Sequence, residues 1–324
     1  MSNTVGVVGR LIGRCFILGL LLISCQNPDP YPLIELDLVQ KDKAEYQKTI
    51  VGQLSGEIPL SDKSVIKNRW SGEERAATAR YLRALIQTLN LEPQQHHFTV
   101  ANLNPAINFI FNPYKGTNIF GILPATRESN EYIVLGAHYD SGKRNAPGAI
   151  DNATGIALIY SVIRELKQLG QRNKNVIFVF FDQEEEELIG SKTFAKFLTE
   201  KSWDIHSVHC FDMVGWDSDG DKAMEIFSAS EELREIYRSA AKTKNIPLNE
   251  IIIDPVDYDR NSTDFDAFVP LGFNVIGAGE CFYFRDSTPY KDTPDDTYDT
   301  VNFSYLLSCS DLIEEIISTL VNSK

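Results

Sequence analysis

The sequence lacks the positive charge that a nucleic-acid-binding protein needs. It contains 31 Lys and Arg against 45 Asp and Glu, which gives a net charge of −14 over 324 residues. A surface with this excess of acid repels phosphate backbones, so no nucleic acid is expected as a partner. Internal repeats, low-complexity tracts and breaks in composition are also absent after residue 40. Residues 41–324 are therefore predicted to form a single domain.

The sequence also lacks, near its start, an apolar run long enough to cross a membrane. The run Phe16–Ile23 is too short, since a spanning helix needs roughly 20 residues. It follows Arg10 and Arg14, and this order is typical of a secretory signal. Residues 1–24 are therefore predicted to be a signal peptide that takes no part in the fold.

The end of this predicted signal resembles a bacterial lipoprotein cleavage box, because two aliphatic residues and a Ser precede Cys25. The resemblance implies that Cys25 is lipidated and anchors the chain to a membrane of the bacterial cell envelope, on the periplasmic or cell-surface side. An ordinary signal peptide with an unrelated Cys is the alternative. Residues 25–40 contain three prolines and are predicted to be an extended tether.

Cysteine is too scarce for a disulfide framework. Five are present, of which Cys15 would leave with the signal and Cys25 would carry the lipid. The others, Cys210, Cys281 and Cys309, are odd in number and far apart in the sequence. They predict no framework and leave room for one bridge in an oxidising compartment.

What the sequence does contain is an alternation of strand-like and helix-like segments. Ser71–Leu89 has a Ser at its start, a Glu three residues later and an apolar stripe, which together predict a helix. Tyr132–Ala137 and Asn175–Phe181 are almost wholly apolar, as buried central strands are. Further strands are predicted at His97–Val100, Ile107–Phe111, Thr117–Leu123, Val208–Val214, Ala223–Phe227 and Asn274–Gly277, and further helices at Thr154–Leu169, Ile189–Leu198, Glu231–Lys242 and Phe303–Val321. The alternation predicts an α/β fold, namely a three-layer sandwich with a central mixed, mostly parallel sheet flanked by helices.

Residues that can bind metal follow three of the apolar strands. His138 directly follows one strand, Glu184 and Glu185 follow another, and Asp212 lies in the end of a third. An unpaired carboxylate inside an apolar strand is costly, so Asp212 needs a partner. Since sites in open α/β sheets form at the carboxyl ends of strands, these side chains are predicted to meet at one edge of the sheet.

Some of the candidate residues have an ordinary structural explanation when taken singly. A His after a strand is commonly a hydrogen-bonded loop residue, and Asp151 before a helix can be its N-cap. Asp140 strengthens the case for His138, because a nearby carboxylate fixes the tautomer of a metal-bound imidazole. The adjacent Glu184 and Glu185 are harder to explain, since two buried carboxylates need a cation or a shared proton.

Five motifs, in this order, resemble the co-catalytic two-zinc aminopeptidase family, which also contains glutamate carboxypeptidases and glutaminyl cyclases. They are GAHYDS, PGAIDNATG, FVFFDQEE followed by LIGS, FDMVG and DTPDDT, and the similarity runs from about residue 50 to the end. The resemblance implies an exopeptidase that uses two divalent metal ions, typically Zn²⁺, to hydrolyse peptides. An aminopeptidase, which removes N-terminal residues, is the first expectation.

The resemblance also assigns roles within these motifs. The implied metal ligands are His138, Asp151, Glu185, Asp212 and, at the last position, Asp292. His138 and Asp212 would hold one ion, Glu185 the other, and Asp151 would bridge both. Glu184 would be the general base, and Asp140 would support His138.

The sequence departs from the family pattern at three positions. Asp292, before a Thr-Pro, stands where the family usually has a His, Glu187 replaces a Gly and Phe265 replaces a His. With Asp292, four carboxylates and one imidazole would surround two divalent ions, so the net charge would be zero. Oxygen-rich sites are less selective for Zn²⁺, and we therefore expect Mn²⁺ or Co²⁺ as alternatives. Asp295 and Asp296 are the other candidates for the last ligand.

Three alternative functions remain open on this fold. A glutaminyl cyclase would cyclise N-terminal glutamine with one metal ion. A carboxypeptidase would need basic residues for the substrate carboxylate, and Arg260 or Arg285 could supply them. A non-catalytic surface lipoprotein would have lost its metal, for which Asp292 is the main argument.

Overall fold

The computed structural model describes residues 34–101, 114–142, 145–256, 258 and 260–323. The predicted signal peptide with Cys25, much of the predicted tether and the predicted strand Ile107–Phe111 lie outside these residues and stay predictions. The described residues from 34 to 323 pack as one compact unit.

A single mixed sheet contains the eight strands of the described residues. In chain order they are β1 (Gln94–Val100), β2 (Tyr114–Leu123), β3 (Glu131–His138), β4 (Asn175–Phe181), β5 (Asp204–Asp212), β6 (Met224–Ser228), β7 (Leu248–Ile252) and β8 (Val275–Gly279). Across the sheet the order is β1-β2-β4-β3-β5-β8-β6-β7. The central strands β4, β3, β5 and β8 are mutually parallel, whereas β2 joins β4, and β6 joins β8, in antiparallel fashion. The sheet is therefore mixed with a parallel centre, as predicted.

Six α-helices flank this sheet within the described ranges. They are α1 (Lys43–Leu54), α2 (Gly72–Thr88), α3 (Thr154–Leu166), α4 (Ile189–Thr199), α5 (Glu231–Lys244) and α6 (Phe303–Asn322). Five of them match the predicted helices to within a few residues, but α1 was not predicted. A capping box formed by Asp42 and Glu45 starts this helix, because the two side chains satisfy backbone N–H groups that have no partner inside the helix.

Apolar side chains of the central strands alternate between two separate cores. Ile133, Leu135 and Phe178 belong to the core under α1, α2, α3, α5 and α6. Val134 and Val179 point to the opposite face and pack with α4. Since successive residues of a strand face opposite sides, the continuous apolar runs of β3 and β4 require helices on both faces. The predicted three-layer α/β sandwich is confirmed.

Two predicted boundaries need correction. Strand β5 ends at Asp212 and not at Val214, because Met213 has a φ of 55°, which an extended strand cannot contain. The predicted tether, residues 25–40, also extends too far along the chain. Leu38 is fully buried and its carbonyl oxygen accepts a hydrogen bond from Arg164, so residues 34–40 belong to the folded unit.

Cys210, Cys281 and Cys309 are buried as three separate free thiols, so none of them bridges another. A search of the described residues finds no helix whose length and apolar character would let it cross a membrane.

Candidate metal centre

Four parallel strands end side by side and place polar residues at one edge of the sheet. His138 is the last residue of β3, and Asp212 is the last residue of β5. Glu184 and Glu185 follow the end of β4 by a short turn, and Glu280 directly follows β8. The first four of these residues therefore meet at the carboxyl ends of the strands, as predicted. Glu280 also lies at this edge, which the sequence did not reveal.

The ligating atoms of these residues form two overlapping groups. His138, Glu184 and Asp212 form one, and His138, Asp151 and Glu185 form the other, with the atoms of each group within 4.8 Å of one another. The Nε2 atom of His138 lies 3.0 Å from Asp151 Oδ1 and 3.3 Å from Asp212 Oδ1. One imidazole thus belongs to both groups.

Several of these buried atoms lack a hydrogen bond of acceptable geometry with any described residue. They are both carboxylate oxygens of Asp151, Oε1 of Glu185 and Nδ1 of His138. Buried carboxylates without partners are costly, and a cation would remove that cost. Because imidazole nitrogen and carboxylate oxygen are ligands of Zn²⁺ and also suit Mn²⁺ and Co²⁺, the residues present fit divalent metal.

The protonation of the cluster supports the same conclusion. Burial raises the pKa of Glu184 well above its ordinary value, and Asp212 and other carboxylates add to the rise. Burial and the neighbouring Asp151 raise the pKa of Glu185 to about 9. For His138 burial opposes the charged form, but the surrounding carboxylates outweigh it and raise its pKa. Without metal the cluster therefore holds protons, which a binding cation would release.

Asp140 contacts His138 and also the turn that carries Glu184 and Glu185. Its Oδ1 lies 3.5 Å from Nδ1 of His138, in line with the predicted support of that ring. The same carboxylate accepts hydrogen bonds from the backbone N–H groups of Glu184, at 3.0 Å, and Glu185, at 3.3 Å. Asp140 therefore also fixes the turn that carries the two glutamates, which the sequence did not predict.

Asp151 is not the N-cap of α3, because Ala153 stands at that position and no side chain caps the helix. It lies instead in a short turn, and its peptide bond to Asn152 is cis. Asp296 holds this turn by accepting hydrogen bonds from the backbone N–H groups of Ile150, at 2.8 Å, and Asp151, at 3.0 Å. Both carboxylate oxygens of Asp296 are used in this way, which makes it a support for Asp151 and not a free ligand.

Asp292 lies at the rim of the cluster, outside both groups. A Cβ atom on Gly142 would come within 1.7 Å of Asp292 Oδ1 and 2.9 Å of the carboxyl carbon of Glu185. The carboxylate of Asp292 is therefore next to that of Glu185. Lys291, the preceding residue, was not among the predicted site residues, yet its Nζ lies 3.7 Å from Asp151 Oδ2.

Arg69 is a second residue that the sequence did not reveal. Its fully buried guanidinium donates hydrogen bonds to the carbonyl oxygens of Leu54, Tyr139, Pro147 and Gly148. These contacts connect the loop after His138 to the loop before Asp151. No local motif marks Arg69, because its partners are distant in the sequence.

The segment before β8 contributes two further polar residues to the surroundings of the cluster. Thr263 donates a hydrogen bond of 2.9 Å from Oγ1 to Asp212 Oδ2. Burial raises the pKa of the neighbouring Asp264 to about 8. The sequence drew attention to Phe265 in this segment, and its ring stacks on Phe227 in the wall of a cavity.

This cavity opens beside the cluster and has a volume of about 230 Å³. Phe227, Phe265 and Tyr283 form aromatic walls, and the guanidinium of Arg260 lies over the rings of Phe227 and Tyr283 at 5.3 and 5.6 Å. Asp212 and Lys291 also line the cavity, so it is continuous with the cluster.

A family model described as Peptidase family M28 matches residues 118–317, which is more than half of the 324 residues. The chain belongs to Peptidase family M28. This match contains all five motifs on which the resemblance to the two-zinc aminopeptidases was based, and it confirms that resemblance.

Curated relatives of this M28 chain match it only in part. A protein named Probable leucine aminopeptidase from Trichophyton verrucosum is 26% identical over 215 residues, or 61% of this chain and 55% of that protein. Aminopeptidase YwaD from Bacillus subtilis is 26% identical over 226 residues, or 66% of this chain and 47% of that protein. The chain thus spans about half the length of these relatives.

Solved structures match more of the chain but at lower identity. A zinc aminopeptidase from Bacillus subtilis has a TM-score of 0.73 and 16% identity, with 87% of this chain and 95% of that chain covered. A glutaminyl cyclase from Bacteroides thetaiotaomicron, bound to N-acetylhistamine, has a TM-score of 0.66 and 16% identity, with 87% and 98% covered. These similarities show that the M28 chain has their fold.

Proposed function

We propose that this chain is a metal-dependent aminopeptidase that removes single residues from peptide N-termini. The proposal rests chiefly on one observation: His138, Asp151, Glu184, Glu185 and Asp212 form two overlapping groups of potential ligating atoms, several of which are buried without a hydrogen bond. We further propose two divalent ions, with Zn²⁺ as the first candidate and Mn²⁺ or Co²⁺ as alternatives. Membership of Peptidase family M28 supports both proposals.

The proposed ligands are His138 and Asp212 for one ion, Glu185 and Asp292 for the other, and Asp151 for both. Such ions supply Lewis acidity, which lowers the pKa of a water molecule and polarises a carbonyl group.

Glu184 is proposed to be the general base of peptide hydrolysis. It would take a proton from the water as the water oxygen bonds to the scissile carbonyl carbon, and it would give that proton to the amine nitrogen as the C–N bond breaks. Asp140 would keep Glu184 in place through the backbone hydrogen bond already described.

The surroundings of the cluster favour a peptide N-terminus. The carboxylates attract its ammonium group, and the aromatic walls of the adjacent cavity can receive the N-terminal side chain. A large apolar side chain is therefore the expected preference, because it would bury the most apolar surface against Phe227, Phe265 and Tyr283.

The proposal includes the cell envelope as the location of the enzyme. A lipid on Cys25 would hold the chain at a membrane, and residues 26–33 would separate that anchor from the folded unit. Peptides outside the cytoplasm would then be its substrates.

Carboxypeptidase activity is a second candidate, which the position of Arg260 favours. Its guanidinium lines the cavity, where it could bind a substrate carboxylate. Arg285 is not among the residues that line this cavity, so Arg260 is the better candidate of the two.

The deciding experiment measures metal content and hydrolysis for the wild type and for Asp292→His. The substrates would be aminoacyl anilides and peptides blocked at their N-terminus. Bound metal with cleavage of the anilides alone would support an aminopeptidase, and cleavage of blocked peptides from the C-terminus would favour the second candidate. No metal and no cleavage in the wild type, with both gained in Asp292→His, would mean that the chain is a non-catalytic protein with the fold of an enzyme.

A further inference from the structure

Lys291 places a positive charge inside the proposed metal centre. Its Nζ lies 3.7 Å from Asp151 Oδ2, and the side chain of Asp151 is only 3% exposed. A lysine ammonium group is a cation at neutral pH, because the ordinary pKa of lysine is about 10.4.

The two oxygens of Asp151 face different cations. Oδ1 lies 3.0 Å from Nε2 of His138, on the side of the ion that His138 and Asp212 would hold. Oδ2 faces Lys291, and no described residue donates a hydrogen bond to it. A carboxylate that bridged two ions would use one oxygen for each, so the ammonium group faces the oxygen that a second ion would use.

We propose that Lys291 is a built-in counter-ion that competes with the second metal ion for Asp151, so that the two ions bind with unequal affinity. This inference rests on the proposed function, since it assumes that the cluster binds metal. In the metal-free chain Lys291 neutralises part of the charge of Asp151. The ion held by Glu185 and Asp292 must displace the ammonium group or bind beside it, and two cations repel each other strongly at such distances in a partly buried site.

Asp292 and Lys291 have opposite effects on this second position. With Asp292 as a ligand, four carboxylates would cancel the charge of two divalent ions, and the ammonium of Lys291 returns the site to a net charge of +1. The adjacent residues therefore act as a pair, in which Asp292 strengthens the attraction for the second ion and Lys291 weakens it.

The test is to measure both stepwise dissociation constants for Zn²⁺ and Mn²⁺ on metal-free protein with a competing chelator. Wild type should show one tight and one weaker site. In Lys291→Met the weaker dissociation constant should fall by about tenfold or more, because the repulsion between two cations is removed. The tighter constant should change much less, and Lys291→Arg, which keeps the charge, should resemble the wild type.

Lys192→Met is the matched control, because it removes one exposed Lys from α4 whose Nζ donates a hydrogen bond to the carbonyl oxygen of Glu187 and to no carboxylate of the described residues. Its two constants should equal those of the wild type. If Lys291→Met does not fold without metal, Lys291→Gln provides the same loss of charge with a hydrogen-bond donor for Asp151.

Two results would overturn the inference, and they are distinguishable. Two bound ions with the same constants in the wild type and in the uncharged variants would refute it while leaving the proposed function intact. No metal on any of these proteins would refute the proposed function as well. Metal that binds only after Lys291 is replaced would support the inference in its strongest form.

Discussion

Glu184 is the residue whose replacement tests the proposed chemistry most directly. Glu184→Gln keeps the shape of the side chain and its backbone hydrogen bond to Asp140, but the amide cannot accept the proton of the attacking water. We expect metal content to stay near that of the wild type while kcat falls by roughly 10²–10⁴-fold. Turnover within a few-fold of the wild type would remove Glu184 from the role of base, and metal analysis of the same sample would show whether the site itself had been lost.

His209 predicts a pH dependence of stability that is independent of the metal centre. It is fully buried between Tyr237 and Ser207, and burial lowers its pKa to about 3. The unfolded chain has a His pKa of about 6.5, so below that pH it binds a proton that the folded chain does not, and stability falls by about 1.4 kcal/mol per pH unit. This loss should continue until the pH approaches 3, where the folded state is also protonated.

The measurement is urea unfolding of the wild type and His209→Gln across this range of pH. Glutamine can still bond to Tyr237 and Ser207 but does not titrate. The free energy of unfolding of the variant should therefore vary less with pH below about 6.5. Equal slopes for the two proteins would show that His209 does not cause the acid sensitivity.

At the scale of secondary-structure elements, the sequence predicted the buried strands well because their apolar runs are unambiguous. Strand β4, Asn175–Phe181, has the predicted bounds. Helix α1 escaped prediction because it buries Gln47 and Gln53 among its apolar residues, which weakens the periodic pattern. Gln47 is held there by Ser161 and Ser310, and no local signal reveals such distant partners.

The same distinction between local and distant contacts applies to the site. The candidate ligands of the two groups stand next to strands or in recognisable motifs, so their meeting at one sheet edge was predictable. Arg69, Lys291 and Asp296 act through residues that are far away in the sequence. Their roles follow from the packing of loops, which the sequence pattern does not determine.

Arg69 yields a prediction about the loops that it connects. Arg69→Met removes a donor from four carbonyl oxygens, of which that of Gly148 keeps the backbone N–H of Ala153. Each buried oxygen that is left without any donor costs about 1–3 kcal/mol. We expect the free energy of unfolding, measured in urea, to fall by several kcal/mol and metal affinity to fall with it, because the loops of His138 and Asp151 lose their connection. A variant within about 0.5 kcal/mol of the wild type, as is usual for a surface change, would contradict this role.

At the scale of the whole molecule, the proposed ligands connect parts of the chain that are far apart, from His138 to Asp292. Metal would therefore stabilise the fold as a whole, since the unfolded chain does not bring these residues together. Saturation at about 1,000 times the dissociation constant should add about 4 kcal/mol to the free energy of unfolding.

This prediction is checked by the melting temperature after chelation and after metal is restored. The increase should persist in Glu184→Gln and be largely lost in Asp151→Asn, which weakens the bridging ligand. A melting temperature that does not respond to metal in the wild type would argue against a metal centre that spans these segments.

The three buried thiols can serve as probes of local unfolding. Cys210 lies in β5 at the cavity wall, Cys281 follows β8 and Cys309 lies in α6. Burial raises the pKa of all three thiols and leaves their side chains almost inaccessible to solvent, so an alkylating reagent should modify each one slowly unless its own part of the fold opens. The order of modification would rank the local openings of the sheet edge and the helical layer. A molecule bound in the cavity should slow the labelling of Cys210 and leave that of Cys309 unchanged, so that mass spectrometry could detect occupancy without any assay of turnover.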